Sequence, residues 1–209
     1  MTAYRATISK EELATMPVDA FRGTIRVIDS VQQVDEAVAE IRRQTVLGFD
    51  TETRPSFSRG HVNKVALLQL SDENTAWLFR IQRTGLPVSL AAVLADPAVI
   101  KVGNAVGQDI ATLCRVRPFA ASSFVDLQQF TKQYGIQDNS LSKLSAIVLG
   151  FRLSKAQQLS NWENETLLPA QRLYAATDAW ASLRIYQTLL AGDGRRIQPD
   201  APEKENLGE

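Results

Sequence analysis

The sequence predicts an α/β protein, a mixed central β-sheet (antiparallel meander plus parallel strands) flanked by helices. Three observations carry that prediction. The β-type runs TVLGFDTE, NKVALLQLSD and TAWLFRI follow one another, with polar connections short enough for antiparallel neighbours. After them, strand-like and helix-like segments alternate. The 209 residues, 44% of them hydrophobic, suffice for one domain with a full core.

The elements follow in order. Residues 1–23 read as an N-terminal arm with one short helix, where Ser9 offers a cap and Glu11 and Glu12 an acidic first turn. GTIRVIDS is a short strand. VDEAVAEIRRQ is an amphipathic helix with Val34, Ala37, Val38 and Ile41 on one side. The three meander strands come next, then a short helix in SLAAVLAD, a strand in VIKVGN and a helix in GQDIATLCRV. FVDLQQFTKQYG starts extended and continues helically, and LSKLSAIVLG is a helix stopped by Gly150. A long helix runs from about Pro169, suited to a first turn, to Leu190. The main domain is therefore expected over 24–191. The tail, 192–209, lacks apolar periodicity and is expected to be disordered. This order is the ribonuclease H-like arrangement, and it puts Asp50 and Glu52 on a central strand.

Composition narrows the classes. Lys plus Arg equals Asp plus Glu, 23 each, so the net charge does not mark a strongly basic nucleic-acid binder, and any grip on a phosphate chain is expected from a local basic rim or bound metal. One cysteine excludes an intramolecular disulfide and a multi-cysteine zinc site. The N-terminus has no apolar signal region, and no apolar run approaches a membrane span, so a cytoplasmic protein without membrane contact, monomeric by default, is expected.

The chemistry lies in five side chains. Asp50 and Glu52 are two apart at the end of an apolar run, so on a strand they project from one face. Tyr174 and Asp178, four apart in LYAATDAWASLRIY, share a helix face. Asp109 starts the helix of KVGNAVGQDIATLC. Each alone has a bland reading: a solvated strand end, a helix face, an acid favoured by the helix dipole. Together, four carboxylates converging from separate elements need a cation to collect them. A ligand set of Asp and Glu without His or Cys suits magnesium or manganese and argues against zinc.

FDTE, VGNAVGQD and YAATDAWASLRIY resemble the three motifs of the DEDD superfamily of 3′–5′ exonucleases. The chain is similar to its tyrosine-containing branch, which holds ribonuclease D and the exonuclease domain of the Werner syndrome helicase. KVALLQLS and LSNWE also look like the Werner-type subgroup, and the likeness runs from about Thr24 to Leu190. The resemblance implies hydrolysis at the 3′ end of nucleic acid, single-stranded or frayed, with two Mg2+ or Mn2+ ions. By that likeness Asp50, Glu52 and Asp178 ligate one ion, and Asp50 bridges to a second. Asp109 acts on the second directly or through water, and Tyr174 orients the nucleophile. Leu173 stands where the sister branch has its histidine, and Gln108, with Asn104 five residues before Asp109, marks the looser second motif. Thr53, next to Glu52, and Asn104 are expected at the substrate. Arg54 and Lys155 flank motif segments and are expected at phosphate. Ribonuclease D-type chains usually add helical binding domains, and only a short polar tail follows here, so DNA is slightly favoured over RNA trimming. An inactive nuclease-like binding module is disfavoured because no acidic ligand is missing.

The remaining conspicuous residues read as structural. His61 is a solvated loop residue, Cys114 a small core hydrophobe, and Trp180 and Trp162 packing residues; Asp126 is a cap or brace rather than a ligand.

Overall fold

The computed structural model describes residues 4–54 and 64–192. His61, Arg59 and the tail beyond Gly192 lie outside the described residues. Six strands, β1 (Thr24–Ile28), β2 (Val46–Thr53), β3 (Val65–Ser71), β4 (Thr75–Arg80), β5 (Ile100–Gly103) and β6 (Phe124–Asp126), form one sheet in the order β1-β4-β3-β2-β5-β6. The β2–β3 and β3–β4 pairs are antiparallel, and β1–β4, β2–β5 and β5–β6 are parallel. The expected mixed sheet is therefore present, with β2 in its interior.

Helices cover both faces. On one side lie α2 (Val31–Ile41), α4 (Val88–Ala95) and α5 (Val106–Val116). Val34, Ala37, Val38 and Ile41 of α2, the four residues of its apolar stripe, pack with Leu47 and Phe49 of β2 and Leu68 and Leu70 of β3. On the other side lie α7 (Leu141–Leu149) and α8 (Pro169–Ala191). There Leu144 and Ile147 pack with Ile185 and Leu189, and Leu67, Leu78, Trp162 and Ala175 form a neighbouring cluster. Gly150 ends α7 in the left-handed conformation, φ 81°, as its position predicted.

The run read as a strand through Ile81 divides at Arg80, because Ile81 opens a one-turn helix, α3 (Ile81–Thr84). At the N-terminus, α1 (Lys10–Thr15) carries the expected Ser9 cap, with Glu12 completing a capping box. Ile8 is buried against α7 and α8, and Val18 bridges to Arg152. No helix among the described residues is long and apolar enough to cross a membrane.

Candidate active site

β2 alternates between the two layers. Leu47 and Phe49 point into the core beneath α2 and α4, so Gly48, Asp50 and Glu52 point at α8. A Cβ on Gly48 would stand 1.9 Å from the Ala179 carbonyl oxygen, so only glycine lets α8 lie this close to the strand. That contact brings Asp178, one residue before Ala179, onto the strand end. Asp50, Glu52 and Asp178 offer carboxylate oxygens within 4.8 Å of one another, the one such group of three or more found among the described residues.

Among the described residues no basic side chain is found paired with these carboxylates, and burial dominates their protonation. Burial, then the charges of Asp178 and Asp109, holds the Asp50 carboxyl well above the usual range. Glu52 is pushed up to about 10 by burial and then by Asp50, Asp178 and Asp109. Asp178 rises to about 7 through burial, opposed by a hydrogen bond with the Tyr174 side chain. The Tyr174 phenol is itself raised, first by burial and then by Asp178 and Glu52, so it stays protonated.

Asp109 stands outside that group of three. It sits in the first turn of α5, and its Oδ1 accepts a 2.5 Å hydrogen bond from the hydroxyl of Thr51, on the face of β2 opposite Asp50 and Glu52. Its carboxyl is pushed up to about 6 by burial, against the Thr51 hydrogen bond, and its charge still reaches Asp50 and Glu52. The turn entering α5 is unusual: Ala105 is left-handed at φ 60°. Asp126 holds it, accepting from the Ala105 amide at 3.0 Å and from the Gln128 amide at 2.9 Å. Asp126 is thus a brace, as expected. Sequence reasoning missed Thr51, although its place between Asp50 and Glu52 was a signal that the strand's other face also comes near the site.

A cavity of about 260 Å3 opens beside the carboxylates, lined by Asp50, Tyr174 and Asp178 and by Asn104, Ser142, Lys155 and Gln158, among others. Two of the expected substrate residues, Asn104 and Lys155, therefore reach it, and the buried Asn104 Oδ1 has no hydrogen-bond partner there. Thr53 and Arg54 do not line it. Thr53 pairs with Val65 just past a register shift in the β2–β3 ladder, and Arg54 lies 3.4 Å from the Glu163 carboxylate. Trp162 is fully buried against Tyr174, Trp180 is half-buried against Phe21 and Phe151, and Cys114 is only partly buried, its thiol 3.7 Å from the Phe119 carbonyl.

Fold and site together define a class: a ribonuclease H-like domain with an acidic cluster at the end of a central strand. The chain belongs to the 3′-5′ exonuclease domain family, whose model matches residues 25–191. It is 37% identical over 185 residues to exonuclease 3′-5′ domain-containing protein 2 of Drosophila melanogaster, covering 84% of this chain and 31% of that one. It is 36% identical over 169 residues to the mouse bifunctional 3′-5′ exonuclease/ATP-dependent helicase WRN, covering 78% of this chain and 12% of that one. The chain thus spans about a third and about an eighth of the length of these two relatives. The crystal structure of the Aedes aegypti Nibbler EXO domain shares the fold, with a TM-score of 0.76 at 24% identity over 83% of this chain and 92% of that one.

Proposed function

We propose that this chain is a metal-dependent exonuclease that releases nucleoside monophosphates from the 3′ end of a nucleic-acid strand, DNA or RNA. The observation that carries the reading is the convergence of Asp50, Glu52 and Asp178 beside Tyr174 on one cavity wall, in a chain of this family.

The donor set fits a hard divalent cation. It is all oxygen, and burial raises every one of its carboxyls, with no compensating cation among the described residues. Magnesium or manganese matches such donors better than zinc does. Asp50, Glu52 and Asp178 would hold one ion, and Asp109 with Asp50 would serve a second. Bound there, the ions would supply a more acidic water and charge stabilisation at the attacking and leaving oxygens.

The chain's own groups do the positioning. Tyr174 stays protonated, so its role is to hold the attacking water in line by a hydrogen bond, not to take its proton. Thr51 fixes the Asp109 carboxylate. Lys155, which lines the cavity, meets a backbone phosphate, and Asn104 Oδ1 accepts from the terminal nucleotide. Thr53 and Arg54 would contact the strand at the edge, Arg54 by leaving Glu163. With formal net charge +0, grip on the substrate rests on these few contacts, so a frayed or single-stranded end is preferred.

Oligonucleotides of DNA and of RNA labelled at the 5′ end, incubated with magnesium, manganese or EDTA, test the reading. Shortening from the 3′ end with either metal and none with EDTA is expected. Cleavage of a covalently closed circle, or undiminished activity in EDTA, would overturn it.

A further inference from the structure

The segment from Ser160 to Leu168, just before α8, is pinned by main-chain contacts from several elements. Arg80, at the end of β4 and 3% exposed, donates to the carbonyl oxygens of Asn164 and of Glu165, the latter at 3.2 Å. Arg83 of α3 donates to the same Glu165 carbonyl. Arg172 donates to the Leu167 carbonyl at 2.8 Å. The fully buried Gln171 donates to Ser160 Oγ and to the Asn161 carbonyl, and accepts from the Leu168 amide.

Burying a guanidinium is costly, and these donors go to backbone carbonyls. Their effect is to fix the path of the chain. What that path holds in place is Trp162. Its ring is 0% exposed and lies 5.9 Å from the Tyr174 ring, centroid to centroid, at 40°. Tyr174 lines the cavity beside the carboxylates and packs against this indole. The geometry is compact, because Arg80 pairs with Leu67 and Leu67 with Glu52, so the anchor lies in the same cross-strand row as a carboxylate of the site.

We propose that Arg80 and Trp162 are positioning residues for Tyr174: Arg80 clamps the segment, the segment seats the indole, and the indole sets the direction of the phenol. This rests on reading Tyr174 as the group that orients the attacking water. A phenol with an empty space behind it could swing while keeping its hydroxyl, and a misplacement of about 1 Å is enough to lower a rate about 100-fold. Arg80 and Trp162 make no contact with the carboxylates in this scheme, so metal affinity stays unchanged.

Two measurements on Arg80→Met and Trp162→Phe test it, with melting curves to establish folding; the conservative Trp162→Phe serves if Arg80→Met does not fold. First, the chain has four tyrosines, so 13C-tyrosine NMR resolves Tyr174 once its signal is assigned by its loss in Tyr174→Phe. The Tyr174 resonance is expected to shift or broaden in both variants while Tyr4, Tyr134 and Tyr186 stay in place. An unmoved Tyr174 signal overturns the proposal, and this arm does not need turnover. Second, kcat should fall about 10-fold with KM and manganese affinity little changed. In a Tyr174→Phe background the same substitutions should cost less than about 2-fold, because the group they act through is gone. A loss equally large in that background overturns the proposal. Absence of exonuclease activity in the parent would fault the functional reading instead, and the NMR arm would still decide this one.

Discussion

The two faces of β2 are built from alternate residues of one strand and do opposite things. Leu47 and Phe49 sit at 0% exposure in an apolar layer that α2 and α4 complete. Gly48, Asp50 and Glu52, one residue out of phase, face α8, where a glycine admits the helix and two carboxylates meet a third. The first face stabilises the fold. The second works against it, because burial raises the pKa of each acid it holds. The apolar pair and the acidic pair therefore differ in sense: shortening Leu47 or Phe49 should destabilise the chain, whereas removing a buried carboxylate should not.

The largest expected effect comes from the carboxylate face. Asp50→Ala or Asp178→Ala should lower turnover by roughly 1000-fold or more, since a lost ligand removes charge stabilisation at the reacting phosphate. Yet the metal-free melting temperature should stay level or rise, because one source of repulsion is gone. Activity assays paired with thermal melts check this, and a sharp drop in melting temperature would break the comparison. Tyr174→Phe should retain manganese binding by calorimetry and lose about 10- to 1000-fold in rate. Collapse of metal affinity in that variant would make the tyrosine part of the ligand framework.

Gly48→Ala probes the close packing that the carboxylate face itself requires. The added Cβ meets main-chain atoms of Ala179 at 1.9 and 2.6 Å, neither of which can yield without moving α8. A loss of about 1–3 kcal/mol in unfolding free energy is expected, read from denaturant melts. Unchanged stability would mean that the strand and helix are not held as tightly as described. Thr51→Val, on the opposite face from the cluster, removes the hydroxyl that fixes Asp109. About a 10-fold loss of rate with little change in stability is the expected and smallest effect, corresponding to one hydrogen bond of about 1.5 kcal/mol to a charged group. A rate equal to the parent's would release Asp109 from any dependence on this contact.

Most of this architecture was legible in the residues, for reasons that differ by element. The α2 stripe declared itself by period and the three meander strands by their β-type runs, because each buries one face or both against a continuous core. The spacing of Asp50 with Glu52 and of Tyr174 with Asp178 gave the composition of the cluster, since local geometry alone puts each pair on one face. Contacts set by tertiary approach were not legible. Thr51 meets Asp109 across 58 positions of sequence, and the left-handed Ala105 depends on Asp126, 21 residues on. Trp162 follows a polar stretch and gave no periodic signal, and the segment that carries it is held by donors far off in sequence, Arg80 and Arg83 among them. Of the expected substrate residues, Asn104 and Lys155 line the cavity, whereas Thr53, which follows a register shift in the β2–β3 ladder, and Arg54 do not.

If Asp50, Glu52 and Asp178 form a charge cluster that receives divalent metal, as proposed, the pH dependence of stability reveals it without turnover. Asp109, Asp178 and Glu52 have folded values raised to about 6, about 7 and about 10 from ordinary values near 4. The folded chain therefore binds more protons than the unfolded one above pH ~4, and the contribution of these groups to stability is lost as pH rises toward the folded values. Between about pH 5.5 and 7.5 the carboxylates with lowered values, such as Glu40, are already ionised, and Lys101, lowered to about 8 by burial, is still largely protonated. The chelator-treated protein should melt several degrees lower at about pH 7.5 than at about pH 5.5, and manganese should raise the melting temperature more at the higher pH. Manganese that leaves the melting temperature unchanged at the higher pH would contradict the account.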